Sequence, residues 1–287
     1  MAAVNLNFNQ FSYDSSSIIF QRLSDVEKKI NEIAKRLDRK APPVFTLLNR
    51  NIAGVPSAGG SCVKIPYLFL IKTEDIPDKL KIKGIDDPRL QSDSYLQEVA
   101  HSTQEFMGLP KSSLNFIDKE TLRVFLKYIS DPVLSEKAKE FVLSHEVSHI
   151  HHEHSSKHPT FVKSLGFASV LIIAASLTAI LGFSVPFFIV FASAAAAFVT
   201  TIALIKIYER SQSHAREKEA DLTALKASPQ SREGGIYLFE TFQKHQQQAR
   251  KNNFLSKLIY SPSGNNRLLT LTHPTESDRI RYLKNAK

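Results

Sequence analysis

Tryptophan is absent from the chain, and cysteine occurs once, as Cys62, among 287 residues. One thiol excludes an internal disulfide framework and a cysteine-rich zinc site, and it is compatible with a reducing compartment. Without tryptophan, one of the usual membrane-interface anchors is lacking. The first residues, MAAVNLNFNQFSYDSSS, contain no basic segment leading into an apolar core, so no secretory signal peptide is read. The largest absence is of charge. From Ser164 to Ile205, 42 consecutive residues include no Asp, Glu, Lys, Arg or His.

A bilayer core needs about 20 apolar helical residues, so this run accommodates two spans, at about 165–184 and 186–205. Gly182 to Pro186 supplies the break. Small residues, Ala174 to Ser176 and Ala192 to Ala197, would let the two helices approach closely. The alternative is a helical hairpin buried in a soluble core. Lys157 and Lys163 precede the run while Lys206 and Arg210 follow it. By the positive-inside rule both flanking segments are expected on the cytoplasmic side of the membrane.

The rest of the composition is that of a folded protein, with 43% hydrophobic and 9% aromatic residues. A net charge of +9 suits an anionic bilayer surface. No nucleic-acid recognition motif accompanies it, so no nucleic-acid partner is expected. Four regions follow: an amphipathic helical region over 1–40, a first folded segment over 41–160, the hairpin over 164–205 and a second folded segment over 206–287. Leu23, Val26, Ile30, Ile33 and Leu37 recur at helical steps, and packing on the domain's own core is expected of them. VFTLL (44–48) and CVKIPYLFLI (62–71) read as strands around a Gly-rich turn. Pro66 points to an edge position for the second strand, where an extended peptide could add. The polar stretch 72–112 reads as partly helical, without an assigned role.

Six of the ten histidines lie between His145 and His158. The first two belong to HEVSH (145–149), an H-E-x-x-H pattern. On a helix His145 and His149 share a face and can both present ring nitrogen to one Zn²⁺, with Glu146 beside them as a base. Ser135 is a candidate cap for that helix. A third histidine six residues after His149 is missing, because position 155 is serine. His152 lies about 10 Å of axial rise beyond His145 and cannot share its ion while the helix continues. His151, His152, His154 and His158 therefore read as polar residues near the membrane surface, or as a second, weaker metal site.

A catalytic zinc takes three protein ligands and a water. Downstream, RSQSHAREKEADLTALKA (210–227) reads as helix, with Glu217 and Asp221 on one face and the small Ala220 between them. Glu217 could complete a His₂Glu set, and Asp221 could hold the outer nitrogen of a ligating histidine. Taken alone, an ordinary charged helix, with Glu217, Lys218 and Glu219 alternating in sign, is the better explanation of these residues.

Three motifs in order, HEVSH, EKEAD (217–221) and HPTESDRI (273–280), make the chain resemble the HtpX-like membrane zinc metallopeptidases, relatives of the CAAX prenyl endopeptidases and the mitochondrial stress-activated inner-membrane peptidase. The resemblance extends over about 27–285. It departs from the family at Asn51-Ile52-Ala53, which replaces Asn-Ala-Phe, and at His214, where arginine is common. It implies Glu217 as third ligand, Asp221 behind a ligand, His273 near substrate or oxyanion, and Arg279 in a supporting role. The expected fold is α+β: a mainly helical zincin-type domain with a small edge-exposed sheet and a transmembrane hairpin between the zinc ligands. The expected activity is that of a gluzincin-type endopeptidase with one Zn²⁺ per chain, acting on protein or peptide substrates at a lipid bilayer, most simply a bacterial inner membrane. The alternatives are a catalytically silent zinc-binding membrane adaptor or effector, or a prenyl-protein endopeptidase.

Overall fold

A computed structural model describes residues 18–47, 56–59, 61–106, 119–154, 187–252, 254–267 and 273–286. The protein is mainly helical, with a small mixed sheet near its N-terminal end. Helix α1 (Ile18–Arg36) leads to strands β1 (Val44–Leu47), β2 (Ser57–Gly59) and β3 (Cys62–Pro66), followed by the single-turn α2 (Tyr67–Leu70). Then come α3 (Asp93–Phe106), α4 (Lys119–Tyr128), α5 (Pro132–His151), α6 (Phe187–Ala227), α7 (Arg232–Asn252), α8 (Phe254–Ile259) and α9 (Glu276–Asn285).

The apolar stripe of α1 packs as its periodicity predicts. Leu23, Ile30 and Ile33 are buried, while Val26 and Leu37 pack partly against the same core. The sheet order is β1-β3-β2, with β1 and β3 parallel and β2 and β3 antiparallel. This corrects the expected edge. The strand ending in Pro66 is the central one, and Pro66 is its last residue, where the missing N–H interrupts little. Among the described residues β1 and β2 are the edge strands, and β2, the one beside the histidine helix, is three small residues within the stretch expected to be a turn.

Residues 72–106, within the polar stretch, contribute to the common core. Three short 3₁₀ turns and α3 place Ile76, Leu80, Leu90, Leu96 and Val99 in the common core. Arg89 ties the turns together by donating to Asp87 and to the carbonyls of Lys79 and Lys81.

Helix α5 is the axis of the domain. Pro132 occupies its first turn and Asp131, rather than Ser135, caps it, accepting the Leu134 N–H at 2.9 Å. Helix α7 lies unusually close. A Cβ at Gly234 would sit 2.1 Å from the Ala138 nitrogen, and one at Gly235 would sit 2.9 Å from the Phe141 ring. Two consecutive glycines in the first turn of this helix cost conformational entropy, and here they allow that contact. Phe141 then meets Phe239 edge-on, with centroids 6.0 Å apart.

Helix α6 runs unbroken for 41 residues, about 60 Å, from the uncharged run into the helix that carries Glu217. The first expected span, 165–184, lies outside the described residues. Among the described residues no helix is long and apolar enough to cross a membrane, so the two-span hairpin is not supported.

Candidate metal centre

Helices α5 and α6 pack side by side, with Ala220 and Ala224 fully buried at the small positions of α6. This close approach brings Glu217 over the two histidines. His145 Nε2 and His149 Nε2 are 3.0 Å apart, and Glu217 places Oε2 3.4 Å from the first and Oε1 3.3 Å from the second. Four ligands about 2.05 Å from a tetrahedral ion would lie about 3.3 Å from one another. The three groups therefore stand at the spacing of one ion's coordination shell. Glu217 Oε2 is buried without a hydrogen-bond donor, the condition of a carboxylate oxygen awaiting a cation. The donor set fits zinc.

Every member of the set is held from behind. His145 Nδ1 is 2.7 Å from Asp221 Oδ1. Asp221, fully buried, accepts from Arg279 Nε at 2.8 Å, from Arg279 Nη2 at 2.6 Å and from the Tyr282 hydroxyl. Arg279 also stands 3.4 Å from Glu217 Oε2 and covers the Phe239 ring at 4.2 Å. Its placement follows from HPTESDRI: Thr275 caps α9 by accepting the Asp278 N–H at 3.0 Å, which leaves Arg279 one turn in and facing α6. His149 Nδ1 meets His154 Nδ1 at 2.8 Å, and His154 Nε2 reaches Glu219 Oε2 at 3.1 Å.

These contacts shape the electrostatics. Burial disfavours a charged His145, yet Asp221 and Glu217 outweigh it and push the ring up to about 10. Burial likewise opposes ionisation of Asp221, but Arg279 and His145 hold it down to about 2. Glu217 is held far below the ordinary carboxylate range, its burial outweighed by His145, His149 and Arg279. Glu146 moves the other way: burial raises it, against the pull of both histidines and the Ala58 N–H. Its Oε2 accepts that N–H from the free edge of β2.

A cleft of about 520 Å³ opens onto this centre, lined by Ser57, Ala58, Glu146, Phe239, Pro274 and Arg279 among others. His273 stands at its rim, 3.5 Å from Glu217 Oε1 and with its side chain 45% exposed, and burial lowers its affinity for a proton. The structure thus brings together all seven residues singled out in the sequence: His145, Glu146, His149, Glu217, Asp221, His273 and Arg279. Sequence reasoning missed Tyr282, Glu219 and Ala58, and it offered His154 only as a polar residue or a member of a weaker second site, not as a partner of His149. Tyr282 had a signal, being one turn beyond Arg279 on the same helix. The others depend on chain reversals or long-range pairing that no local pattern announces.

A family model described as peptidase family M48 matches residues 96–287. No curated protein and no solved structure matches the chain.

Proposed function

Because the chain belongs to peptidase family M48, we propose that it is a zinc-dependent endopeptidase acting on membrane or membrane-proximal proteins. The observation that carries this reading is the convergence of His145, His149 and Glu217 at coordination spacing beneath an open cleft. On this reading those three residues hold the ion, Asp221 fixes His145, and Arg279 fixes Asp221 and Glu217 together. A zinc ion held there would supply Lewis acidity, which lowers the pKa of bound water and polarises a scissile carbonyl.

The protein's own groups do the rest. Glu146 takes the proton of the attacking water and delivers it to the leaving amine. Its raised proton affinity suits a group that must accept and then give. His273, at the rim on the Glu217 side, donates a hydrogen bond to the developing oxyanion. The outer edge of β2 borders the cleft, with the Ala58 N–H turned towards Glu146, and an extended peptide could add along it, so an unfolded or locally extended segment is the expected substrate form.

Membrane attachment through 164–205 belongs to the same proposal. It is supported by the uncharged run and by Phe198, Val199, Ile202, Leu204 and Ile207, all exposed on α6. The basic residues beside the run favour a cytoplasmic catalytic domain. Retention of the protein in membranes washed with alkaline carbonate supports attachment, and release into the supernatant overturns it.

The decisive variant for catalysis is Glu146→Gln. It keeps a hydrogen-bond acceptor for Ala58 and leaves the ligand set intact, but removes the base. Zinc content should be unchanged, while cleavage of an unfolded protein substrate falls about 10²- to 10⁴-fold. Cleavage at the wild-type rate by purified, zinc-loaded Glu146→Gln refutes the assignment.

A further inference from the structure

Beyond the first centre, the histidine tract gathers a second group of possible ligands, His152, His154 and Glu219. Helix α5 ends with Glu153 in the left-handed region at φ 54°, a conformation that favours glycine. There the Glu153 N–H returns to the Ile150 carbonyl at 3.0 Å and the His154 N–H to the His149 carbonyl at 3.1 Å, closing a Schellman motif. The reversal folds His154 back beside His152, their rings stacked with centroids 5.3 Å apart and planes 16° from parallel. Both rings face Glu219, on the turn of α6 that follows Glu217. His152 Nδ1 lies 3.4 Å from Glu219 Oε1, and His154 Nε2 lies 3.1 Å from Glu219 Oε2.

We propose that His152, His154 and Glu219 form a second divalent-cation site, selective for zinc, that is weaker than the first and antagonistic to it. The two histidine-to-Glu219 spacings are again those across a tetrahedral ion, about 3.3 Å, and one ligand atom from each of the three residues lies within 4.8 Å of the others. Two imidazoles and one carboxylate select zinc over calcium or magnesium. The outer nitrogen of each ring is anchored, as in built metal sites: His152 Nε2 to the Thr223 hydroxyl at 2.9 Å, and His154 Nδ1 to His149 at 2.8 Å. Glu219 is about half exposed, which leaves the site open to ions from solution and makes it the weaker of the two.

The antagonism follows from the shared ring contact. A neutral imidazole carries one proton. When His149 coordinates through Nε2, its proton sits on Nδ1 and is donated to His154 Nδ1. The proton of His154 is then on Nε2, pointing at Glu219. An ion in the second site needs that Nε2 lone pair, which moves the proton to Nδ1, against the proton of His149. Both ions cannot be held with the 2.8 Å contact intact. Filling the second site therefore loosens His149 and the first ion with it, so that excess free zinc restrains the enzyme.

The test is a zinc titration of metal-stripped full-length protein in chelator-buffered solutions, with bound metal counted by mass spectrometry. Wild type should reach two zinc ions per chain, the second requiring at least tenfold more free zinc. His152→Ala and the milder Glu219→Gln should each stop at one. In wild type, filling the second site should speed release of the first ion to a chelator at least threefold, and neither variant should show this. Saturation of wild type at one zinc, or two zinc ions in both variants, overturns the site. Unchanged release on filling overturns the antagonism. Glu217→Ala separates this from the first centre: it should lose the tight ion and keep the weak one, and retention of the tight ion would refute the first assignment while leaving the His152 and Glu219 comparison readable.

Discussion

Asp221→Ala tests how the centre is held. In the folded protein this carboxylate receives two hydrogen bonds from Arg279 and one from Tyr282, and it faces His145 Nδ1. Removing it leaves Arg279 buried opposite a hole, with only the more distant Glu217 to answer its charge. Breaking a buried pair from one side costs about 3–5 kcal/mol. Unfolding entropy of about 2.1 cal/mol/K per residue over 287 residues gives about 0.6 kcal/mol/K, so Tm should fall by about 5–8 °C. Zinc affinity should fall as well, by about 10- to 100-fold, because His145 loses its outer anchor. The double variant Asp221→Ala with Arg279→Leu separates the two effects. Removing the stranded cation should recover much of the lost stability, but His145 stays unanchored and zinc affinity stays low. Thermal unfolding of the metal-free protein and competition against a fluorescent zinc chelator measure the two quantities. A Tm within 2 °C of wild type in Asp221→Ala, or recovery of zinc affinity in the double variant, would refute the reasoning.

Two further expectations concern the frame rather than the chemistry. Gly234→Ala forces a methyl group to within 2.1 Å of the α5 backbone, so the helices must separate; a loss of about 1–3 kcal/mol is expected in denaturant unfolding, and an unchanged midpoint would contradict the packing. His245 on α7 is lowered to about 4 by burial, then by Lys127 and Arg123, against about 6.5 when unfolded. Its folded pKa is depressed, so the stability of the neutral ring is fully present above pH 6.5 and is lost as pH falls towards 4, by up to about 3 kcal/mol. His245→Gln should flatten that part of the stability profile, and an identical slope in both proteins would count against the assignment.

What could be read from the sequence was whatever a helix writes locally. The stripe of α1, the shared face of His145 and His149, and the slim face between Glu217 and Asp221 all follow from a period of 3.6 residues. The sheet was less legible because its edge strand, Ser57–Gly59, has neither alternation nor bulk and exists through pairing with β3. Pro66 misled for a related reason: proline at the last position of a central strand leaves the same trace in sequence as proline on an edge. The reversal at Glu153 had no sequence signal either, since left-handed backbone is usually announced by glycine or asparagine. That hid the contact of His154 with His149. The uncharged run predicted helix correctly from Phe187 onward, but composition does not say that the same helix continues to Glu217.

Charge explains why this arrangement suits a dication. Glu146, Glu217 and Asp221 bring three carboxylates to one buried centre, and Arg279, which contacts both Asp221 and Glu217, offsets only one of the three charges. With neutral histidines the centre is left two negative charges in excess, which a low-dielectric site tolerates poorly. Without metal, the high proton affinity of His145 supplies one compensating charge. A divalent ion between His145, His149 and Glu217 supplies both and takes the lone pairs that point inward. Helices α5, α6 and α9 fix the geometry in advance, so little ordering remains to oppose binding. The same balance gives Glu146 its role. With Arg279 and a dication together offsetting the three carboxylates, Glu146 would stand beside the cleft, oriented by the Ala58 N–H and able to exchange a proton.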